Sequence, residues 1–167
     1  MDGIAEILIA AFLLIVLCPL LYYLFVYLGQ KQEKKEYEEL LLRADMNKVD
    51  HMEGYEFEDF CAAVLKKNGY KVEQTKYSRD FGADLILHTS DKKIVVQTKR
   101  YSNKVSLSAV QEIATARRYY GANQAWVITN NFFTSTAKTL AESNGVVLVD
   151  REKLAKLICS AKDKEKQ

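Results

Sequence analysis

Asp80-Phe81-Gly82-Ala83-Asp84-Leu85-Ile86-Leu87 and, thirteen residues after Asp84, Gln97-Thr98-Lys99 decide how this chain is read. Residues 83–88 and 93–99 are short runs rich in Leu, Ile and Val, separated by the polar pair Ser90-Asp91. That pattern predicts two strands joined by a tight turn. A symmetric turn about Ser90-Asp91 pairs positions whose numbers sum to 181, so Asp84 falls opposite Gln97. Side chains alternate faces along a strand, which puts Gln97 and Lys99 on the side of Asp84. A quiet core strand would prolong Ile94-Val95-Val96 with another apolar residue; here an amide and an ammonium interrupt it. A carboxylate, an amide and an ammonium are therefore expected on one patch of sheet.

Those groups have a chemistry in common. Asp84 and the Gln97 amide oxygen are hard oxygen ligands of the kind Mg²⁺ takes while keeping most of its waters. A cation so placed polarises a phosphodiester and lowers the pKa of a bound water. Lys99 would steady charge building on the phosphoryl oxygens. Glu58 is a further candidate carboxylate, at helical spacing with Ala62 and Leu65 and beside the Phe57 stripe. Plainer readings stand next to these: a turn residue for Asp84, an edge-strand solubiliser for Lys99, a solvated helix charge for Glu58.

Outward from this centre, Gly54–Asn68 reads as a helix closed by Gly69, with Phe57, Cys61 and Val64 as its apolar stripe. Residues 70–75 read as a strand. A helix capped by Ser106 or Ser108 runs through Tyr120, followed by a buried strand from Ala125 to Thr129. A helix capped by Thr134 runs to about Ser143, a strand covers Val146 to Val149, and a closing helix covers 151–160. The order α-β-β-β-α-β-α-β-α predicts an α/β domain over residues 51–160, a mixed sheet flanked by helices. Residues 161–167, rich in Lys, read as a disordered tail.

The N-terminal part differs in kind. Ile7 to Leu28 is a run of 22 residues without a formal charge, about 33 Å as a helix against a hydrocarbon core of about 30 Å. The expectation is one transmembrane helix over residues 4–29, kinked at Pro19, with Tyr22, Tyr23 and Tyr27 at the interface. A cleaved signal is disfavoured by Asp2, Glu6 and the lack of an Ala-x-Ala site, and a lipoprotein signal by Leu17 before Cys18. Lys31, Lys34 and Lys35 follow the run and no Lys or Arg precedes it, which places the C-terminal part on the cytoplasmic side of a cell membrane in a single pass. Residues 30–50 read as a charged helical linker, too short in heptads for a coiled coil.

The whole chain carries a net charge of +2, yet residues 1–50 hold five Lys/Arg against eight Asp/Glu, leaving an excess of five positive charges on the remainder. That admits a polyanionic partner without requiring one. Three scattered cysteines and two histidines leave no zinc finger or disulfide scaffold, and the glycines fit neither a phosphate loop nor a dinucleotide fingerprint. Lys76, Arg79, Arg100, Lys104, Arg117 and Arg118, interleaved with Tyr101, Tyr119 and Tyr120, flank the centre and are candidates for phosphate contacts.

Taken together, Gly54-x-x-Phe57-Glu58, Gly69-Tyr70-x-Val72, Asp80-x-Gly82-Ala83-Asp84-Leu85, Gln97-x-Lys99-Arg100-Tyr101, Ala109-Val110-Gln111-Glu112, Thr129-Asn130-x-x-Phe133-Thr134 and Gly145-Val146 occur in an order that resembles the catalytic domain of Mrr-type restriction endonucleases. That family lies in the PD-(D/E)xK nuclease superfamily, in a variant where Gln replaces the middle acid. The resemblance covers roughly residues 51–157 and implies a restriction-endonuclease-like core cleaving DNA with Mg²⁺, or Mn²⁺ in its place. It implies Asp84 as metal carboxylate, Gln97 and Lys99 as the QxK half-motif and Glu58 as helix-borne acid; Asp80 and Gln111 match without an assigned role. Typical members carry a separate recognition domain where this chain has its apolar run. The expected function is a membrane-anchored DNA endonuclease, in defence against foreign or modified DNA, with the bilayer contacting residues 7–28. Cutting both strands calls for two sites, hence a homodimer. The alternative is a catalytically inactive nuclease fold that tethers DNA or a protein at the membrane; branched DNA or RNA would serve the same residues.

Overall fold

The computed structural model describes residues 3, 4, 6, 11–75 and 81–165. The chain divides into two compact units, Met1–Glu39 and Leu40–Gln167. In the first, Leu13–Leu17 forms a π-helix in which the Cys18 N–H donates to the Leu13 carbonyl. The helix α1 follows over Cys18–Leu42, its last three residues counted in the second unit. Pro19 accounts for the widened turn: it has no N–H, and its ring would crowd the carbonyl of Ile15 four residues back.

Among the described residues no helix is long and apolar enough to cross a membrane. The expected transmembrane helix over 4–29 is thus not carried by them. Residues 7–10 of the run lie outside the described residues, and α1 keeps thirteen charge-free residues before Lys31, about 20 Å at 1.5 Å per residue.

The second unit holds a five-stranded sheet, ordered β1 (Lys71–Gln74), β2 (Leu85–His88), β3 (Lys93–Lys99), β4 (Gln124–Thr129) and β5 (Val146–Val149). The first three strands are antiparallel neighbours; β3, β4 and β5 run parallel. Among its described residues this unit also holds the helices α2 (Met46–Asp50), α3 (Gly54–Lys67), α4 (Leu107–Tyr119), α5 (Ser135–Asn144) and α6 (Arg151–Glu165). Strand alternation sorts the core into two layers. Leu85, Leu87, Ile94 and Val96 pack with α3 and α6, whereas Ile86, Val95, Ala125 and Val127 pack with α4 and α5.

Of the caps read from the sequence, Thr134 is realised by its side chain, whereas Ser106 takes the N-cap position of α4 without a side-chain bond to the helix. The Glu53 N–H donates to Glu56 Oε2 at 2.8 Å at the start of α3. Thr134 Oγ1 caps α5 by accepting from the Ala137 N–H at 3.2 Å, and Gly145 at φ 63 ends that helix. The β2–β3 register pairs Leu85 with Val96, Ile86 with Val95, Leu87 with Ile94 and His88 with Lys93, the expected pairing. Its turn closes by the Thr89 N–H donating to the Lys92 carbonyl at 2.9 Å.

Two boundaries move. The end of the expected linker joins the core, with Leu41, Leu42, Ala44 and Val49 all buried. Helix α6 continues to Glu165 instead of giving way to a tail at 161, because Ala161 is buried and Lys162 Nζ donates to the Ala44 carbonyl at 3.2 Å. Residues 166–167 lie outside the described residues.

Candidate active site

Asp84 sits one residue before β2 and is fixed at every polar atom with a described partner. Its N–H donates to the Val96 carbonyl at 2.9 Å, and its own carbonyl accepts from the Thr75 N–H at 2.9 Å and Thr75 Oγ1 at 3.1 Å. Its carboxylate Oδ2 accepts from the Thr98 N–H at 2.6 Å and from Thr98 Oγ1 at 2.9 Å. The observed pairing ends at Leu85 with Val96, and the Asp84 N–H goes to Val96 and not to Gln97. The expected placement of Asp84 on the side of Gln97 and Lys99 is therefore corrected: its carboxylate sits on Thr98, whose strand parity is opposite to theirs.

Gln97 and Lys99 share the strand parity of Val95 and so face α4. Gln97 is 2% exposed, and its Nε2 donates to Glu112 Oε2 at 2.6 Å. Lys99 Nζ donates to the same oxygen at 3.1 Å. With Nε2 committed to Glu112, the other end of the amide is the oxygen, and Gln97 Oε1 finds no hydrogen-bond partner among the described residues. A buried acceptor left open is costly. The approach of α4 is admitted by Gly82, at φ 86: a Cβ there would lie 3.2 Å from Glu112 Cβ and 3.5 Å from Gln97 Nε2.

Glu112 is the site residue that the sequence reading did not single out. Its signal was present: it lies three residues after Ala109 and four before Ala116, both buried, so it borders the inner stripe of α4. Gln111, its neighbour, instead lines the groove between α4 and α5 with Leu140 and Thr139.

Glu58 is half-buried on α3. The buried Cys61 thiol, three residues on, has its pKa pushed well up, first by desolvation and then by the charges of Asp84 and Glu58. Two carboxylates from different elements thus act on one sulfur, which stays protonated and inert near neutral pH. Among the described residues no three His, Cys, Asp or Glu side chains group to hold a metal ion.

The expected phosphate contacts divide. Arg79, together with Lys76 and Asp80, lies outside the described residues. Arg100 is half-buried, its Nε without a partner among the described residues, and Lys104 is exposed; both follow β3. Arg117 Nη1 donates to the Asn144 carbonyl at 3.1 Å, at the C-terminus of α5, while Arg118 is exposed. Lys93 Nζ meets the Tyr120 carbonyl at 2.9 Å, so this second pair lies near the opposite end of β3, about 20 Å away at about 3.3 Å per residue.

A half-buried network braces the loop after β3. Asp50 takes Arg151 Nη1 at 2.6 Å and Nη2 at 2.8 Å, and Asn130 Nδ2 at 2.9 Å, while the Tyr101 N–H donates to Asn130 Oδ1 at 2.9 Å. The Arg151 hydrogen bonds hold the Asp50 pKa below its usual 3.8, against burial, which raises it. With the folded pKa lowered, this stabilisation is whole above the unfolded value and drains away as pH falls through the folded one. Asp50→Asn is expected to cost about 2 kcal/mol at neutral pH and to flatten the acid limb of stability. Urea titrations from neutral to strongly acidic pH check both; an unchanged acid limb refutes the assignment.

A mixed sheet between helices, with Asp84 ahead of one strand and Gln97-x-Lys99 on the next, defines a restriction-endonuclease-like domain. The profile of the Mrr_cat family, described as restriction endonuclease, matches residues 49–158, and the chain belongs to that family. No curated protein matches the chain. Among solved structures, the fold is similar to the DNA modification-dependent restriction endonuclease AspBHI (TM-score 0.55, 16% identity, covering 77% of this chain and 36% of that one). It is also similar to the MspJI restriction endonuclease in complex with a 27-mer oligonucleotide (TM-score 0.51, 20% identity, 76% and 32% covered). A third is AF1548, a protein of unknown function (TM-score 0.50, 16% identity, 59% and 62% covered). The chain spans less than two thirds of the length of each. At these identities the likeness is one of fold.

Proposed function

We propose that this chain is a metal-dependent DNA endonuclease acting through Asp84, Gln97 and Lys99. The observation that carries the reading is the open Gln97 Oε1, buried on β3 and held in one orientation by Glu112. An amide oxygen with no donor suits a hard cation, and Mg²⁺ accepts one or two carboxylates with several waters, so in donor type Gln97 Oε1 and the Asp84 carboxylate suit it, with Glu58 as a further carboxylate. Bound there, Mg²⁺ or Mn²⁺ would supply Lewis acidity and a more acidic water.

The protein's own groups do the rest. Thr98 fixes the Asp84 carboxylate with two donors, so it is preorganised before any substrate arrives. Glu112 holds the Lys99 ammonium at 3.1 Å, on the strand that also carries Gln97. A phosphodiester oxygen reaching that ammonium would find a charge-assisted donor in place. Arg100 and Lys104, after β3, are placed to steady the flanking phosphates.

The test is nicking of supercoiled plasmid by the full chain with Mg²⁺, with Mn²⁺ and with chelator. Metal-dependent nicking is expected, lost in Asp84→Asn. DNA binding that persists without cleavage in either metal would overturn the enzyme and assign a DNA tether.

We infer that residues 7–28 anchor the chain in a bilayer with the nuclease domain on the cytoplasmic side. Supporting this are the charge-free run and the exposure of Phe12, Ile15, Leu20, Tyr22 and Phe25, an apolar surface that needs a cover. Lys31, Lys34 and Lys35 beyond it favour the orientation. The chain is expected to sediment with membranes and resist alkaline extraction, and Leu21→Arg with Phe25→Arg to release it. Full release of the unaltered chain by high salt alone would refute the anchor.

A further inference from the structure

Two aromatic rings stand in the open beside the site. Phe81 and Tyr119 stack with centroids 4.1 Å apart and planes 34° from parallel, yet they remain 51% and 62% exposed. Tyr120 meets Tyr119 at 5.0 Å and 87°, and Lys93 Nζ lies 5.8 Å from the Tyr120 centroid. Phe81 has φ 50, a left-handed backbone that bulky side chains seldom adopt and that gathers where ligands are handled. The strained residue aims its ring at the Tyr119 ring instead of the core.

The placement ties these rings to the site. Gly82, the next residue after Phe81, is the one packed against Glu112 and Gln97. Tyr119 lies seven residues beyond Glu112 on α4, two turns along the same helix face and about 10 Å away. At about 3.4 Å per nucleotide along one strand, that is a reach of a few nucleotides. Exposed π-faces next to cationic side chains are what an unstacked base seeks, and a base inside an intact duplex presents no face to them.

We propose that Phe81 and Tyr119 form a stacking platform for an unpaired nucleobase, so that DNA with extruded or single-stranded bases a few nucleotides from the scissile bond is the favoured substrate. This rests on the nuclease reading of Asp84, Gln97 and Lys99, and its test separates the two.

The full chain in mild detergent, without divalent cation, is titrated with a duplex carrying a single-stranded bulge that contains a fluorescent purine analogue, and with the same duplex fully paired. Quenching of the analogue and about tenfold tighter binding of the bulged duplex are expected. Tyr119→Ala and Phe81→Ala should each remove quench and preference, and Tyr119→Phe should keep both. Circular dichroism confirms that the variants are folded. Equal affinity for the two duplexes, or a quench unmoved by either alanine, overturns the platform. Plasmid nicking with Mg²⁺ on the same preparations reports on the nuclease alone: nicking without quench removes the platform and leaves the enzyme, and quench without nicking does the reverse.

Discussion

Lys99→Ala is expected to slow single-turnover nicking by about 10²–10³-fold, the usual effect of removing one preorganised donor from developing oxyanion charge. The side chain is 22% exposed and its one described ion pair is with Glu112, itself 46% exposed. Losing that pair costs about 1 kcal/mol or less, so the thermal midpoint should barely move while the rate collapses. A KM near the unaltered value is expected as well, since phosphate contacts elsewhere set most of the affinity. Lys99→Arg should not rescue, because a planar fork presents its donors differently from a compact ammonium. Retention of the rate within about threefold, on the same scale, would sink the assignment of Lys99.

Gly82→Val should damage stability and activity together. The backbone there is at φ 86, and a Cβ would sit 3.2 Å from Glu112 Cβ. A β-branched residue pays for the left-handed backbone and for pushing α4 away, about 2 kcal/mol or more. For a domain of this size that is a fall of roughly 4–8 °C in Tm. Displacing Glu112 also frees the Gln97 amide and the Lys99 ammonium, so nicking should fall further than the loss of folded protein explains. An unchanged midpoint with unchanged nicking would refute the close packing of Gly82 on Glu112.

The register around the site was legible because it is local. The short apolar runs on either side of Ser90-Asp91 set the tight turn, and with it the pairing of Leu85 with Val96 through His88 with Lys93. The helix start at Thr134 follows from short-range capping chemistry in the same way. Glu112 was less legible because it meets Gln97 only after a crossover from β3 through α4, a contact set by helix packing and not by spacing. The turn of the Asp84 carboxylate toward Thr98 was hidden too: a threonine offering an N–H and a hydroxyl outcompetes a partner on strand parity alone. Tyr37, Leu40, Leu41 and Leu42 read as a weak apolar stripe of a solvated linker, and the burial of Leu41 and Leu42 in the core follows from tertiary packing that so short a stripe does not announce.

Strand β3 belongs to a neighbouring hairpin on one edge and to a parallel crossover on the other. Hairpins close in about 1–10 μs, whereas non-local parallel pairing is slower because a long loop must first be ordered. During synthesis at about 5–20 residues per second, Asp84 and Val96 can therefore join long before Glu112 is seated. The nascent chain then holds the contact of Asp84 with Val96 while that of Glu112 with Gln97 waits for α4 to clear the ribosome.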